Sequence, residues 1–282
     1  MKRARRSGVF AMSSGAATAA VAFLTVTSFL ITACAAVPTS SQRAARTHRL
    51  VVKEESAAKK RLAVVADGGG QVFRLGLVPQ LADAAGLVGA QLGYFQQDLG
   101  DSVRLQLVPF ASQAEEGEAL AAGRLDGAYV NPVTAVRVWL ASDHKVIKVL
   151  AGTSARDGDR TVAVLAVATR LLRTRPAVVA AIVQGQIQSE QLIDTDPARA
   201  LPAISAELAA LRVRRVKERL LARSFAGLTY TNNPLAASVL AQATHAASAG
   251  LIAPLPRSLA GLFDLGPLNK LLRAAGQAEV PG

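Results

Sequence analysis

The chain of 282 residues is 51% hydrophobic and 18% charged, which excludes an intrinsically disordered protein and gives room for one or two packed domains. Its net charge of +12 is concentrated near the start: Lys2, Arg3, Arg5 and Arg6 supply four charges and residues 43–61 a net five, leaving +3 for the remainder. With one tryptophan, Trp139, and no aromatic residues interleaved with the basic ones, the groove-and-stacking pattern of a nucleic-acid binder is missing.

The basic start, MKRARRSG, precedes an uncharged stretch from Val9 to Ala33, the charged-then-apolar order of a secretory signal. That stretch closes in LITAC, where Ile31, Thr32 and Ala33 lead into Cys34, the single cysteine. The spacing resembles the bacterial lipobox, which implies a lipidated Cys34 as the first residue of the mature chain and a signal peptide over 1–34. The alternative is an uncleaved membrane anchor, since the apolar stretch is long enough to span. Both place the remainder outside the cytoplasmic membrane. Residues 35–72, rich in Ser, Ala, Gly and charge and without a sustained apolar period, read as a flexible basic tether.

From Val72 the pattern becomes regular. VFRLGLVP predicts a strand turning at Pro79, ADAAGLVGAQLGYFQQDLG a helix over 82–100, and VRLQLVPF an alternating strand. EEGEALAAG predicts a helix with an acidic first turn and Gly123 beyond its end. GAYV is a short buried strand, PVTAVRVWLAS a helix with Pro132 at its first position, and KVIKVLAG a fourth strand. Strands alternating with helices predict an α/β fold with a doubly wound, mostly parallel sheet, which binds ligands at the carboxyl ends of its strands. TVAVLAVATRLL and then helical patterns to Ala274 complete the chain.

Three strand-to-helix turns fall at those ends. Helix N-termini present unpaired N–H groups and the positive end of the dipole, so an oxyanion there needs no full positive charge. The candidate ligand-binding residues are Gln80 and Asp83 in the first turn, Ser112 and Gln113 in the second, and Asn131, Pro132 and Thr134 in the third. The alternative is that Ser112 and Asn131 only cap their helices and Asp83 is an ordinary first-turn acid.

FRLGLVPQLADAAGLVGAQLGYF and ALAAGRLDGAYVNP, followed much later by LTYTNNPLAASVL and DLGPLNKLLRAAGQAEV, resemble the substrate-binding lipoproteins of ABC importers for aliphatic sulfonates, nitrate and taurine. The resemblance runs from Phe73 to about Thr153 and from Thr161 to Val280. It implies the periplasmic-binding-protein type II fold, a small anionic ligand, an ABC permease and ATPase as partners, attachment to the membrane through the lipid anchor, no cofactor and no enzymatic activity. Gln80 and Asp83 depart from the pattern, which usually has an Asn and a polar residue or histidine there.

A larger departure lies between AGTS and TVAV. The resembled proteins insert a second α/β lobe at this place, but here only Ala155–Arg160 and their immediate neighbours separate the two segments. One βαβ unit alone takes roughly 30 residues. The expectation is a single binding lobe over 73–282 with a C-terminal helical segment. The rival is a one-lobe remnant or a non-transport interaction lipoprotein with little affinity for ligand. His48, His144 and His245 show neither a nucleophile–base order nor metal-ligand spacing. The basic run from Arg212 to Arg223 reads as one solvated helix.

Overall fold

The computed structural model describes residues 71–155, 159–212 and 218–281. The signal segment, Cys34, His48 and the tether as far as residue 70 lie outside the described residues, while Gln71 and Val72, assigned to the tether from the sequence, belong to the first strand, whose ladder with the next strand starts at Gln71.

All six strands of the described residues join one sheet in the order β2-β1-β3-β5-β4-β6. They are β1 (Gln71–Leu77), β2 (Val103–Pro109), β3 (Gly127–Val130), β4 (Ile147–Ala155), β5 (Thr161–Ala168) and β6 (Leu228–Thr229). β1 pairs in parallel with β2 and β3, while β5 lies antiparallel between β3 and β4, so β1 to β4 share one direction. β6 pairs antiparallel with the end of β4. Ser154 faces Thr161 across the β4–β5 pair, so the two strands are joined end to end by residues 156–160.

The predicted helix over 82–100 divides in two. A 3-10 turn, Leu81–Asp83, leads into α1 (Ala84–Gln91), and α2 (Tyr94–Leu99) follows after Gly93, whose φ of 77° is a left-handed conformation that glycine adopts without steric cost. The apolar spacing runs through this break, which is why periodicity alone hides it. The other helices follow the predicted segments: α3 (Gln113–Ala121), α4 (Pro132–Ala141), α5 (Thr169–Thr174), α6 (Pro176–Thr195), α7 (Pro197–Ala210), α8 (Glu218–Phe225), α9 (Ala236–Ser248) and α10 (Gly266–Ala274). Residues 213–217 of the predicted basic helix lie outside the described residues. Arg212 takes a left-handed φ of 60° in the turn after α7, leaving Arg219 and Arg223 on the described α8. No helix among the described residues is long and apolar enough to cross a membrane.

Both faces of the sheet are covered, as a doubly wound sheet requires. Leu165 and Val167 of β5 pack with α1, α2, α6 and α7, whereas Val164 and Ala166 pack with α3, α4 and α9. The same alternation sends Tyr129 of β3 to the first face and Ala128 and Val130 to the second. At the amino end of β3, Asp126 is buried and ion-paired with Arg74 and Arg170, at 3.4 Å and 2.6 Å. This acid is matched where it is buried; the acids at the opposite end of the sheet are not.

The candidate ligand site at the strand ends

Register sets the site. Leu77 pairs with Pro109 on one side and Tyr129 on the other, so the turns that leave β1, β2 and β3 stand side by side. All seven sequence-predicted residues lie on these turns. Their local chemistry differs.

Ser112 and Asn131 act as caps. The Ser112 Oγ accepts from the Glu115 N–H at 3.2 Å, and the Asn131 Oδ1 accepts from the Thr134 N–H at 2.8 Å. Gln113 ties two of the turns together, because its Oε1 accepts from the Asn131 N–H at 2.7 Å while its buried Nε2 has no partner. Pro132 occupies the first helical position of α4 and is buried. Thr134 is buried with its methyl against Gly117, where a Cβ would come within 2.7 Å of it. Gln80 has extended backbone ahead of the 3-10 turn, and its Nε2 donates to the Asp83 Oδ2 at 3.5 Å.

Asp83 is fully buried, with its Oδ1 unpartnered. Burial pushes its carboxyl well above the usual carboxylate range, against the opposing pull of the Gln80 bond and a backbone N–H bond from Val78. Glu116, in the first turns of α3, is equally buried and neither of its carboxyl oxygens has a partner. Burial, and then the nearby Asp83, push Glu116 up to about 9.

A second set of polar groups extends the site. The Tyr129 hydroxyl donates to the Gln186 Oε1, and the Gln186 Nε2 donates to the Glu190 Oε1 at 2.9 Å. The same Glu190 oxygen accepts from the Thr153 hydroxyl at 3.2 Å, while its Oε2 is unpartnered. Burial pushes Glu190 up to about 8, although both of those bonds pull the other way. The Tyr129 and Tyr230 hydroxyls are raised by burial first and then by the charges of Glu190 and Asp83.

A strap closes one side. The Tyr230 hydroxyl donates to the Leu81 carbonyl at 3.2 Å, the Gly152 N–H donates to the Asn232 carbonyl at 3.2 Å, and the Thr161 hydroxyl donates to the Pro234 carbonyl at 2.7 Å. Segment 230–234 is thereby fastened across the end of β4, the start of β5 and the turn after β1.

Sequence reasoning passed over Glu116, Tyr129, Thr153, Gln186, Glu190 and Tyr230. Two signals were present. Glu116 stands three and four residues before Ala119 and Leu120 on the buried face of α3, and Gln186 and Glu190 interrupt the apolar stripe of α6 between Ile182 and Ile193. Groups of three or more metal-ligating side chains do not occur among the described residues.

No protein-family model matches the sequence, and no curated protein matches it. Solved structures do match in fold. The periplasmic nitrate-binding protein NrtA from Synechocystis PCC 6803 superposes with a TM-score of 0.59 at 9% identity, over 73% of this chain and 89% of that one. The alkanesulfonate-binding protein SsuA from Xanthomonas axonopodis pv. citri, bound to MOPS, gives 0.53 at 10% identity, over 70% and 99%. The ligand-binding component of an ABC-type import system from Staphylococcus aureus gives 0.54 at 14% identity, over 70% and 97%. At these identities the likeness is one of fold: a mixed α/β architecture shared with periplasmic binding proteins.

Proposed function

We propose that this protein is the extracytoplasmic, lipid-anchored solute-binding component of an ABC importer, and that a small anion such as an aliphatic sulfonate, taurine or nitrate is held at the strand ends. The observation that carries this reading is the alignment of three strand-to-helix turns by the β2-β1-β3 register. Two of them open helices with capped N-termini, and Gln113 leaves a buried amide donor between them. The fold shared with nitrate- and sulfonate-binding proteins supports it. Residues 1–34 serve as a signal peptide in this reading, Cys34 bears the lipid, and the chain from 35 to the start of β1 at Gln71 tethers a single lobe.

A single lobe leaves one side of the ligand in water. Binding is therefore expected to be weak, with a Kd of about 0.1 to 1 mM, or ~4–5.5 kcal/mol. Thermal shift of the full-length chain with nitrate and ethanesulfonate tests this, because a bound ligand raises stability by mass action. Asn131→Ala is expected to weaken that binding by about 1–2 kcal/mol. No shift with any small oxyanion up to tens of millimolar, or wild-type affinity in Asn131→Ala, would remove the basis for the reading.

Anchoring has its own test. Cys34→Ala should abolish fatty-acid labelling and move the protein from the membrane fraction to the medium or periplasm. Labelling that survives the substitution would rule out Cys34 as the lipid site.

A further inference from the structure

We propose that the amino end of the sheet is a basic surface that rests on anionic lipid headgroups, so that the strand-end turns face away from the bilayer. This goes beyond the ligand reading above and takes from it only that the chain is held at a membrane through its first residues.

Topology assembles the surface. β1, β2 and β3 begin at this end, and the antiparallel β5 finishes here: Gly127 faces Val167, and the Ala168 N–H donates to the Asp126 carbonyl at 2.9 Å. Segments distant in sequence thereby bring six arginines together, Arg74 from β1, Arg104 from β2, Arg124 from the turn into β3, Arg170 and Arg173 from α5, and Arg175 just after it. Bonds fix the arrangement. Asp126 pairs with both Arg74 and Arg170, the Arg74 Nη1 also donates to the Arg124 carbonyl at 3.4 Å, and the Arg175 Nη2 donates to the Gln71 Oε1 at 2.5 Å. Even with Asp98 and Asp101 counted beside Asp126, the six arginines leave a net charge of +3, and Lys145 is matched by Asp143. Pairing does not hide them. The Arg74 and Arg170 side chains stay 39% and 47% exposed, and Arg104, Arg124 and Arg173 are exposed.

Such a surface fits a negative partner broader than one ion. The upstream segment of the chain is not that partner, because residues 43–61 are themselves basic, with a net five positive charges. Anionic lipid is favoured by where the chain arrives: residues 35–70 lead from Cys34 to Gln71, which opens β1 at this same end and is the residue that Arg175 holds. A chain anchored through its first residues brings its arginines to the bilayer first. The opposite end of the sheet includes the acids Asp83, Glu115, Glu116 and Glu190, which suit a lipid phosphate poorly. Arginine suits it well, since its planar fork donates two parallel bonds to phosphate oxygens. Each basic side chain near an anionic leaflet strengthens binding by about fivefold, and the effect fades within a Debye length.

Orientation on vesicles is the test. A donor dye is placed on Ser102→Cys, before β2, or on Ala111→Cys, after it, both exposed positions, in the full-length chain with Cys34→Ala so that the new thiol is the only one. Energy transfer to acceptor headgroups is then read on vesicle-bound chain. Because the two positions lie roughly 25–30 Å apart at about 3.3 Å per residue, transfer from 102 should be at least about twice that from 111 on mixed phosphatidylglycerol–phosphatidylcholine vesicles. The two should converge on phosphatidylcholine alone, and on the mixed vesicles in about 1 M salt, where the Debye length is about 3 Å. Arg124→Glu with Arg173→Glu, exposed arginines outside the Asp126 pair, should also remove the difference. Equal transfer from both positions on the mixed vesicles, as expected if the arginines serve an acidic protein instead, would overturn the proposal. So would a ratio that is the same on both lipids and at both salt concentrations, since the tether alone would then orient the domain. The lipid and salt comparisons decide these outcomes even if the double variant does not fold. They involve neither lipidation nor a ligand, so the function proposed above can fail while this surface stands, and the reverse.

Discussion

Raising the pH from 5 to 8 should weaken the fold by several kcal/mol, the reverse of the trend set by ion-paired acids. In the unfolded chain Glu116 and Glu190 titrate near their ordinary value of 4.5, whereas burial in the folded chain pushes them up to about 9 and about 8. Between those limits the folded state binds protons that the unfolded state has released, so stability falls as pH rises. The contribution is fully present below about pH 4.5 and has been lost once the pH passes the folded values. Within the window each group contributes a slope of about 1.4 kcal/mol per pH unit. Asp83 adds to the trend, because its carboxyl is raised by the same burial. Urea midpoints measured at pH 5, 6.5 and 8 should fall steadily. Glu190→Gln and Glu116→Gln, which keep the shape but cannot ionise, should each flatten the fall and raise the midpoint at pH 8. A midpoint that is constant or rises over this range would show that water reaches these carboxyls in the folded protein.

The second large effect is expected at Phe95. Its ring lies in a notch formed by two glycines, Gly89 on α1 and Gly185 on α6; a Cβ on either would overlap the ring, and one on Gly185 would also come within 3.1 Å of the Phe95 Cα. Phe95 is fully buried. Phe95→Ala should cost about 3–5 kcal/mol, the usual range for emptying an aromatic site in a core. Gly185→Ala should also destabilise. Its gain of about 1 kcal/mol in helix propensity is set against an overpacking cost of typically ~1–3 kcal/mol. The decisive measurement is the double variant. With the ring gone, only the 3.1 Å approach to the residue-95 Cα remains, so Gly185→Ala should cost clearly less in the Phe95→Ala background than in the wild type. Additive losses from chemical denaturation would mean that the ring and the glycine do not share one packing site.

The element pattern was legible in the sequence because it is local. Alternation marked β2, Pro132 opened α4, and Gly123, at a φ of 67°, follows the end of α3. The break at Gly93 was hidden because the apolar positions continue through it. The direction of β5 was hidden for another reason: TVAVLAVA is buried on nearly every residue, and a uniformly apolar run carries no sign of which neighbours it will join. In the candidate site, the caps at Ser112 and Asn131 were readable because each bonds a group three residues away. The Tyr129–Gln186 and Thr153–Glu190 bonds close over 57 and 37 residues, and nothing in either segment names its partner.

The position of β5 also sets the order in which the sheet becomes whole. Among the described residues, β4 pairs with β5 and β6 and makes a single bridge from Val149 to Phe263, and β3 meets the second half of the sheet through β5. A chain emerging from the ribosome or a translocation channel, and ending at Ala155, would hold β2, β1 and β3 as a small sheet with an open edge, and β4 as a strand with no neighbour. Such edges are templates for pairing with other chains. The eight residues from Thr161 to Ala168 close both at once. A truncation just before them is thus more hazardous to the cell than one after them, and chaperone protection of the newly made protein is needed most while those eight residues are still to come.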